Sequence, residues 1–98
     1  MKRVLAVLVV LCAACTTVTP HENFANILNG RVGESFDIPR TDLKPPLLLS
    51  ERQLQNGNVE YRYRYLGDCV QIYEVEPSTR IIRRAAWKGS EKSCIVPP

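Results

Sequence analysis

Val59-Glu60-Tyr61-Arg62-Tyr63-Arg64-Tyr65-Leu66 alternates so strictly that Val59, Tyr61, Tyr63 and Tyr65 must share one face of an extended strand. Glu60, Arg62, Arg64 and Leu66 then take the other face. Upstream, Asn56-Gly57-Asn58 supplies a turn. Downstream, Gly67-Asp68 reads as a two-residue hairpin turn into a second strand, Cys69 to Glu76, and Pro77-Ser78-Thr79 turns the chain into a third, Arg80 to Lys88. Three antiparallel strands in a meander follow.

The simplest registers set Leu66 opposite Cys69 and Val75 opposite Ile81. Tyr63 then pairs with Ile72, Tyr65 with Val70, and Cys69 with Trp87. A one-residue slip would turn these faces inside out, because side chains alternate with a period of two. On these registers Val70, Ile72, Ile82 and Ala86 complete the tyrosine face. A helix is expected to cover it: Phe24, Ile27, Leu28 and Val32 recur at helical spacing, Glu22 or Asn23 serves the first turn, and Gly30 or Gly33 ends it. The expected fold class is therefore α+β, an N-terminal helix packed on a three-stranded antiparallel meander over residues 23–98.

Residues 34–55 are harder to place. Pro39, Pro45 and Pro46 exclude a long helix, while Asp37 and Thr41 offer turn or cap chemistry, so a loop with one helical turn is expected. Leu47, Leu48 and Leu49 follow the double proline and are read as a plug tucked under the sheet. The alternative is an exposed patch that binds a partner.

The front of the chain speaks of location. Lys2 and Arg3 precede an apolar run from Val4 to Ala14, too short for the roughly 20 residues a membrane span needs. Cys12-Ala13-Ala14-Cys15 resembles a lipobox, the cleavage and lipidation signal of bacterial lipoproteins, with Cys12 standing where leucine is commonest. The resemblance implies a signal peptide over residues 1–14, acylation at Cys15, and a lipid anchor in the outer membrane facing the periplasm. Several acyl chains hold effectively permanently, because each buried methylene contributes about 0.8 kcal/mol. Ordinary secretory cleavage near Ala14 is the competing reading. Residues 15–22, CTTVTPHE, read as a tether.

Loss of residues 1–14 lowers the basic count from 13 to 11 against 10 acids. A nearly neutral exported domain argues against a nucleic-acid partner. Cys69 and Cys94 remain as an even pair, which in an exported chain predicts a disulfide. With about 84 residues left, such a staple matters, since small domains bury too little surface for a large margin of stability.

Taken with this order of elements, the phrases Pro45-Pro46, Asn56-Gly57-Asn58-Val59-Glu60-Tyr61-Arg62-Tyr63-Arg64 and Cys69-Val70-Gln71-Ile72-Tyr73-Glu74-Val75-Glu76-Pro77 resemble the SmpA/OmlA (BamE-like) small outer-membrane lipoproteins. That resemblance implies two helices on a three-stranded sheet and action by contact with proteins or lipid. Pro39 stands inside the segment where the second helix would lie.

No catalytic set emerges. Nucleophilic catalysis needs a nucleophile and a base within hydrogen-bond reach, and the sole histidine, His21, falls in the tether. Asp37 and Asp42 are read as caps. No metal ligands occur at coordinating spacing and no cofactor is expected. The remaining candidate is a positive strip, Arg62, Arg64 and Arg83, placed on the outer sheet face around Tyr73 with Arg84 on the inner face. Its arginines alternate with Glu60, Glu74 and Glu76, which suits a solvated face with ion pairs of at most about 1 kcal/mol each. Guanidinium forks on phosphate headgroups or on an acidic partner are the alternative. The expected function is that of a non-enzymatic, membrane-anchored interaction or envelope-assembly module with an envelope protein partner. An inhibitor-type or ligand-binding module using Leu47 to Leu49 and Tyr73, or a small secretion-channel lipoprotein, is the other reading.

Overall fold

The computed structural model describes residues 18–97, so the expected signal peptide, the lipobox-like stretch and Cys15 lie outside the described residues. One short helix, α1 (Pro20–Gly30), precedes four strands: β1 (Leu47–Gln53), β2 (Val59–Arg64), β3 (Val70–Val75) and β4 (Ile82–Lys88). The strands form one antiparallel sheet in the order β1-β2-β3-β4. The architecture is α+β, with four strands where three were expected.

Helix α1 starts at a proline because the first helical residue has no need of its N–H. Thr19 caps it, its Oγ1 accepting from the Glu22 amide at 3.1 Å. The expected tether is therefore shorter, since Pro20, His21 and Glu22 are helical. Phe24 and Leu28, one turn apart, are fully buried. Val32, expected on the same apolar stripe, lies past the helix end and is exposed.

Both expected registers are off, for local reasons. Between β2 and β3 the Tyr65 amide donates to the Cys69 carbonyl at 2.9 Å, closing three residues, Leu66 to Asp68, instead of two. Gly67 takes a φ of +50° within that turn, as such longer hairpin loops require. The extra residue shifts β3 by one: Arg62 faces Ile72, Tyr61 faces Tyr73 and Tyr63 faces Gln71. Cys69, Gln71, Tyr73 and Val75 thus join the tyrosine face, and Val70 and Ile72 leave it. Between β3 and β4 a bulge separates the Glu74–Arg84 pair from the Val75–Ile82 pair. Arg83 is the extra residue. Trp87 pairs with Gln71, not with Cys69, and Ala85 and Trp87 pack on the core while Ala86 faces outward opposite Ile72.

Leu47 to Leu49 are not a plug. They open β1, an edge strand joined to β2 by the Asn56-Gly57 turn, and every residue of β1 is exposed. Leucine triplets without alternation read poorly as strand, and the hydrogen-bonding edge of β2 supplies the order that the pattern lacks.

The inner face of the sheet is covered by α1 and by the connection that follows it. Residues 33–36 run beside the start of β4, with Gly33 donating to the Ile82 carbonyl at 2.8 Å and Phe36 to the Arg80 carbonyl at 2.8 Å. Phe36 is thereby stacked on Tyr61, with ring centroids 4.6 Å apart. The core gathers Phe24, Leu28, Tyr61, Tyr73, Val75, Ile82 and the Cys69–Cys94 pair. Those two cysteines form a disulfide with Cα atoms 5.1 Å apart. The tail also ties back to the helix start: Val96 donates to the Pro20 carbonyl at 3.1 Å, and His21 Nδ1 lies 2.8 Å from the Cys94 carbonyl. His21 meets Trp87 edge to face, so it belongs to the domain and not to the tether.

Candidate functional site

Two faces of the sheet present different chemistry. On the outer face, β2 contributes Glu60, Arg62 and Arg64, β3 contributes Val70, Ile72 and Glu74, and β4 contributes Arg84, Ala86 and Lys88. Tyr73 is not among them, because the register shift turns it inward, where it is buried. Ile72 takes the central place. Arg84 belongs to this face, contrary to expectation, and its Nε lies 3.6 Å from Glu74.

Of the three expected contact residues, Arg62 donates from Nε to Glu60 at 3.0 Å and Arg83 from Nη2 to Glu76 at 3.0 Å. Arg64 is exposed and makes no ion pair among the described residues. Arg52 from β1 joins them, reaching Glu60 at 3.1 Å. The carboxylates sit low and the guanidiniums high: the Glu60 side chain is 7% exposed against 64% for Arg52. Solvent therefore meets a predominantly cationic surface.

The Arg62 hydrogen bond holds the Glu60 carboxyl below its ordinary range. Asn58 does the same for Glu74, Thr79 for Glu76, Arg80 for Asp37 and Ser93 for Asp68. A carboxylate whose folded pKa is depressed contributes stability that is complete above its unfolded value and is lost as pH falls through the folded one. The unfolded values are the ordinary 3.8 for aspartate and 4.5 for glutamate. Urea midpoints should thus stay level from about pH 7 to about pH 5 and fall below that. Glu60→Gln should make the fall shallower; an unchanged slope would show that the outer-face pairs contribute nothing to acid sensitivity.

On the inner side, Asp37 and Asp42 do not act as caps. Asp37 takes a two-point hydrogen bond from Arg80, at 2.8 and 3.1 Å. Arg80 adopts a φ of +62° and also donates to the Tyr61 hydroxyl at 3.1 Å. Asp42 accepts from Arg31 Nη2 at 2.6 Å. Arg31 follows α1 directly and is buried, at 8% exposure.

Arg31 begins a chain whose direction is fixed by chemistry. Guanidinium can only donate, so the Tyr73 hydroxyl accepts from Arg31 Nη1 and passes its own proton to Gln71 Oε1 at 2.8 Å. Burial pushes the Tyr73 pKa up, which keeps that hydroxyl protonated. The Gln71 amide nitrogen and Arg31 Nε are left without acceptors. Buried donors in that condition cost about 1–3 kcal/mol each.

A cavity of about 220 Å³ opens against this chain, lined by Arg31, Arg40, Gln71 and Tyr73 with Phe36, Pro46, Tyr63 and Ile82. Arg40 is held by the Phe36, Ile38 and Ser35 carbonyls and by Glu34. The lining supplies donors and aromatic walls. Sequence reasoning placed Tyr63 and Ile82 on this face but missed the polar floor: Arg31 looks like an ordinary basic residue at a helix end, and Gln71 falls on the solvent face in the expected register. Among the described residues no three His, Cys, Asp or Glu side chains come together as a metal site. Compared with protein-family models, with characterised proteins and with solved structures, the chain matches none.

Proposed function

We propose that this chain is a non-enzymatic lipoprotein, anchored through Cys15 in the outer membrane and facing the periplasm, that serves as an interaction or envelope-assembly module. The observation that carries the reading is β1. Leu47, Leu48 and Leu49 are 67%, 50% and 46% exposed on the rim of a sheet. Edge strands offer unpaired backbone groups to any extended segment, and natural proteins usually blunt them. Exposed apolar residues in a contiguous run mark contact sites. The occupant we assign is an extended segment of an envelope protein, adding a strand to β1 by backbone pairing and seating its side chains on the leucines. The cationic outer face begins at Arg52 on the same strand and suits an acidic partner surface.

The lipobox resemblance of Cys12 to Cys15 and the resemblance to SmpA/OmlA-like lipoproteins support the compartment. Tyr73 is buried, so a contact surface for an inhibitor built from Leu47 to Leu49 and Tyr73 is not available.

Photo-crosslinking from position 48 in intact cells tests the reading, with position 79 in the far turn as control. One discrete adduct to an envelope protein from position 48, abolished by Leu49→Pro, is the expected result. Intact mass of the extracted protein should match residues 15–98 plus lipid, and Cys15→Ser should release it from the membrane. Absence of any adduct at position 48 removes the β1 interface, and an unlipidated Cys15 removes the anchor.

A further inference from the structure

The inner cavity bounded by Arg31, Gln71 and Tyr73 lies apart from the β1 edge, and its chemistry asks for a ligand of a definite kind. The two buried polar atoms left without a partner on its floor are both donors. Arg31 Nε and the Gln71 amide nitrogen lack acceptors, whereas Gln71 Oε1 is engaged by Tyr73, the Tyr73 oxygen by Arg31, and Asp42 Oδ1 by Arg31. The two side chains are buried, Gln71 at 1% exposure.

Charge is arranged in the same sense. The Arg31 and Arg40 side chains are 10% and 17% exposed, but their counterions Asp42 and Glu34 are 46% and 53% exposed. Water screens the carboxylates more than the guanidiniums, so the interior of the cavity is left positive. Phe36, Pro46, Tyr63 and Ile82 give it apolar walls. A volume of about 220 Å³ has room for several waters, and so for a small organic molecule.

We propose that this cavity binds a small monocarboxylate, aliphatic or aromatic, whose carboxylate takes hydrogen bonds from Gln71 and Arg31 and whose apolar body lies against the wall formed by Phe36, Tyr63 and Ile82. Arg31 and Gln71 both line the cavity, but these two nitrogens are themselves shielded from solvent. Binding therefore includes a small movement of the Gln71 amide and the Arg31 guanidinium, which turns both N–H groups to the ligand.

The test is a titration of the full-length, disulfide-bonded chain with benzoate and with butyrate, followed by the NMR signals of the Arg31 Nε–H and the Gln71 side-chain amide. Saturable shifts of both are expected, and the uncharged isostere benzamide should bind at least about 10-fold more weakly. Gln71→Glu replaces the amide donor by a charged acceptor facing the ligand oxygen, so it should fold, pair with Arg31 and lose at least about 10-fold in benzoate affinity. Gln71→Leu, which removes the donor without adding charge, should lose affinity too. No saturable shift with either carboxylate, benzamide binding as well as benzoate, or undiminished affinity in a folded Gln71→Glu would each overturn the assignment.

Discussion

Phe24→Ala should destabilise the domain by about 3–5 kcal/mol, the largest effect expected of any single substitution here. Phe24 has no solvent exposure and packs against Tyr65, with centroids 5.4 Å apart, and against Trp87 at 5.9 Å. Removing its ring empties the junction of helix, second strand and fourth strand together. Helix α1 has 11 residues, and a helix that short is marginal by itself in water. It persists because Phe24 and Leu28 anchor it to the sheet. A domain of this size has a total stability of only about 5–10 kcal/mol, so the variant should melt by roughly 10 °C or more below the wild type. Circular dichroism during a thermal ramp reads both losses. A cost under about 1 kcal/mol would mean that the helix does not depend on this contact.

Replacing both Cys69 and Cys94 by alanine should cost about 3 kcal/mol by the chain-entropy model, given a closed loop of 25 residues. Both cysteines are fully buried, so a thiol reductant should act slowly on the native protein and quickly once urea is present. Mass spectrometry after alkylation follows the reaction directly. Rapid reduction of the native chain would contradict the buried placement. The bridge ties the tail to the turn before β3, and Gly89 permits the close approach: a Cβ there would lie 2.7 Å from the Asp68 carbonyl oxygen.

The strand at residues 59–64 was legible because strict alternation has one physical meaning. The cysteine pair was legible because an even count has few other uses in a chain exported as the lipobox resemblance implies. Register was not, since it turned on whether Gly67 sits in a two- or three-residue loop and on one bulge at Arg83; neither leaves a mark in composition. The error carried far. A single-residue shift moved Gln71 and Tyr73 from the solvent side to the interior, and with them the whole inner cavity. The β1 strand escaped for a different reason: Leu47 to Leu49 show no period, and their extended form depends on pairing with β2, a contact that local pattern does not encode. Phe36 likewise owes its place over Tyr61 to hydrogen bonds its segment makes with the start of β4.

One hydrogen bond described above, from the Val96 amide to the Pro20 carbonyl, has a mechanical meaning. It brings the entry and the exit of the domain to one corner, beside the Cys69–Cys94 bridge and the His21–Trp87 contact. A pull on the front of the chain enters at Pro20 and meets the tail first, where covalent sulfur backs the hydrogen bonds. Through Cys69 the load reaches the sheet at the start of β3, on the side away from β1. Tension applied at the N-terminus would thus enter through the bridge at β3, with β2 between it and the β1 edge.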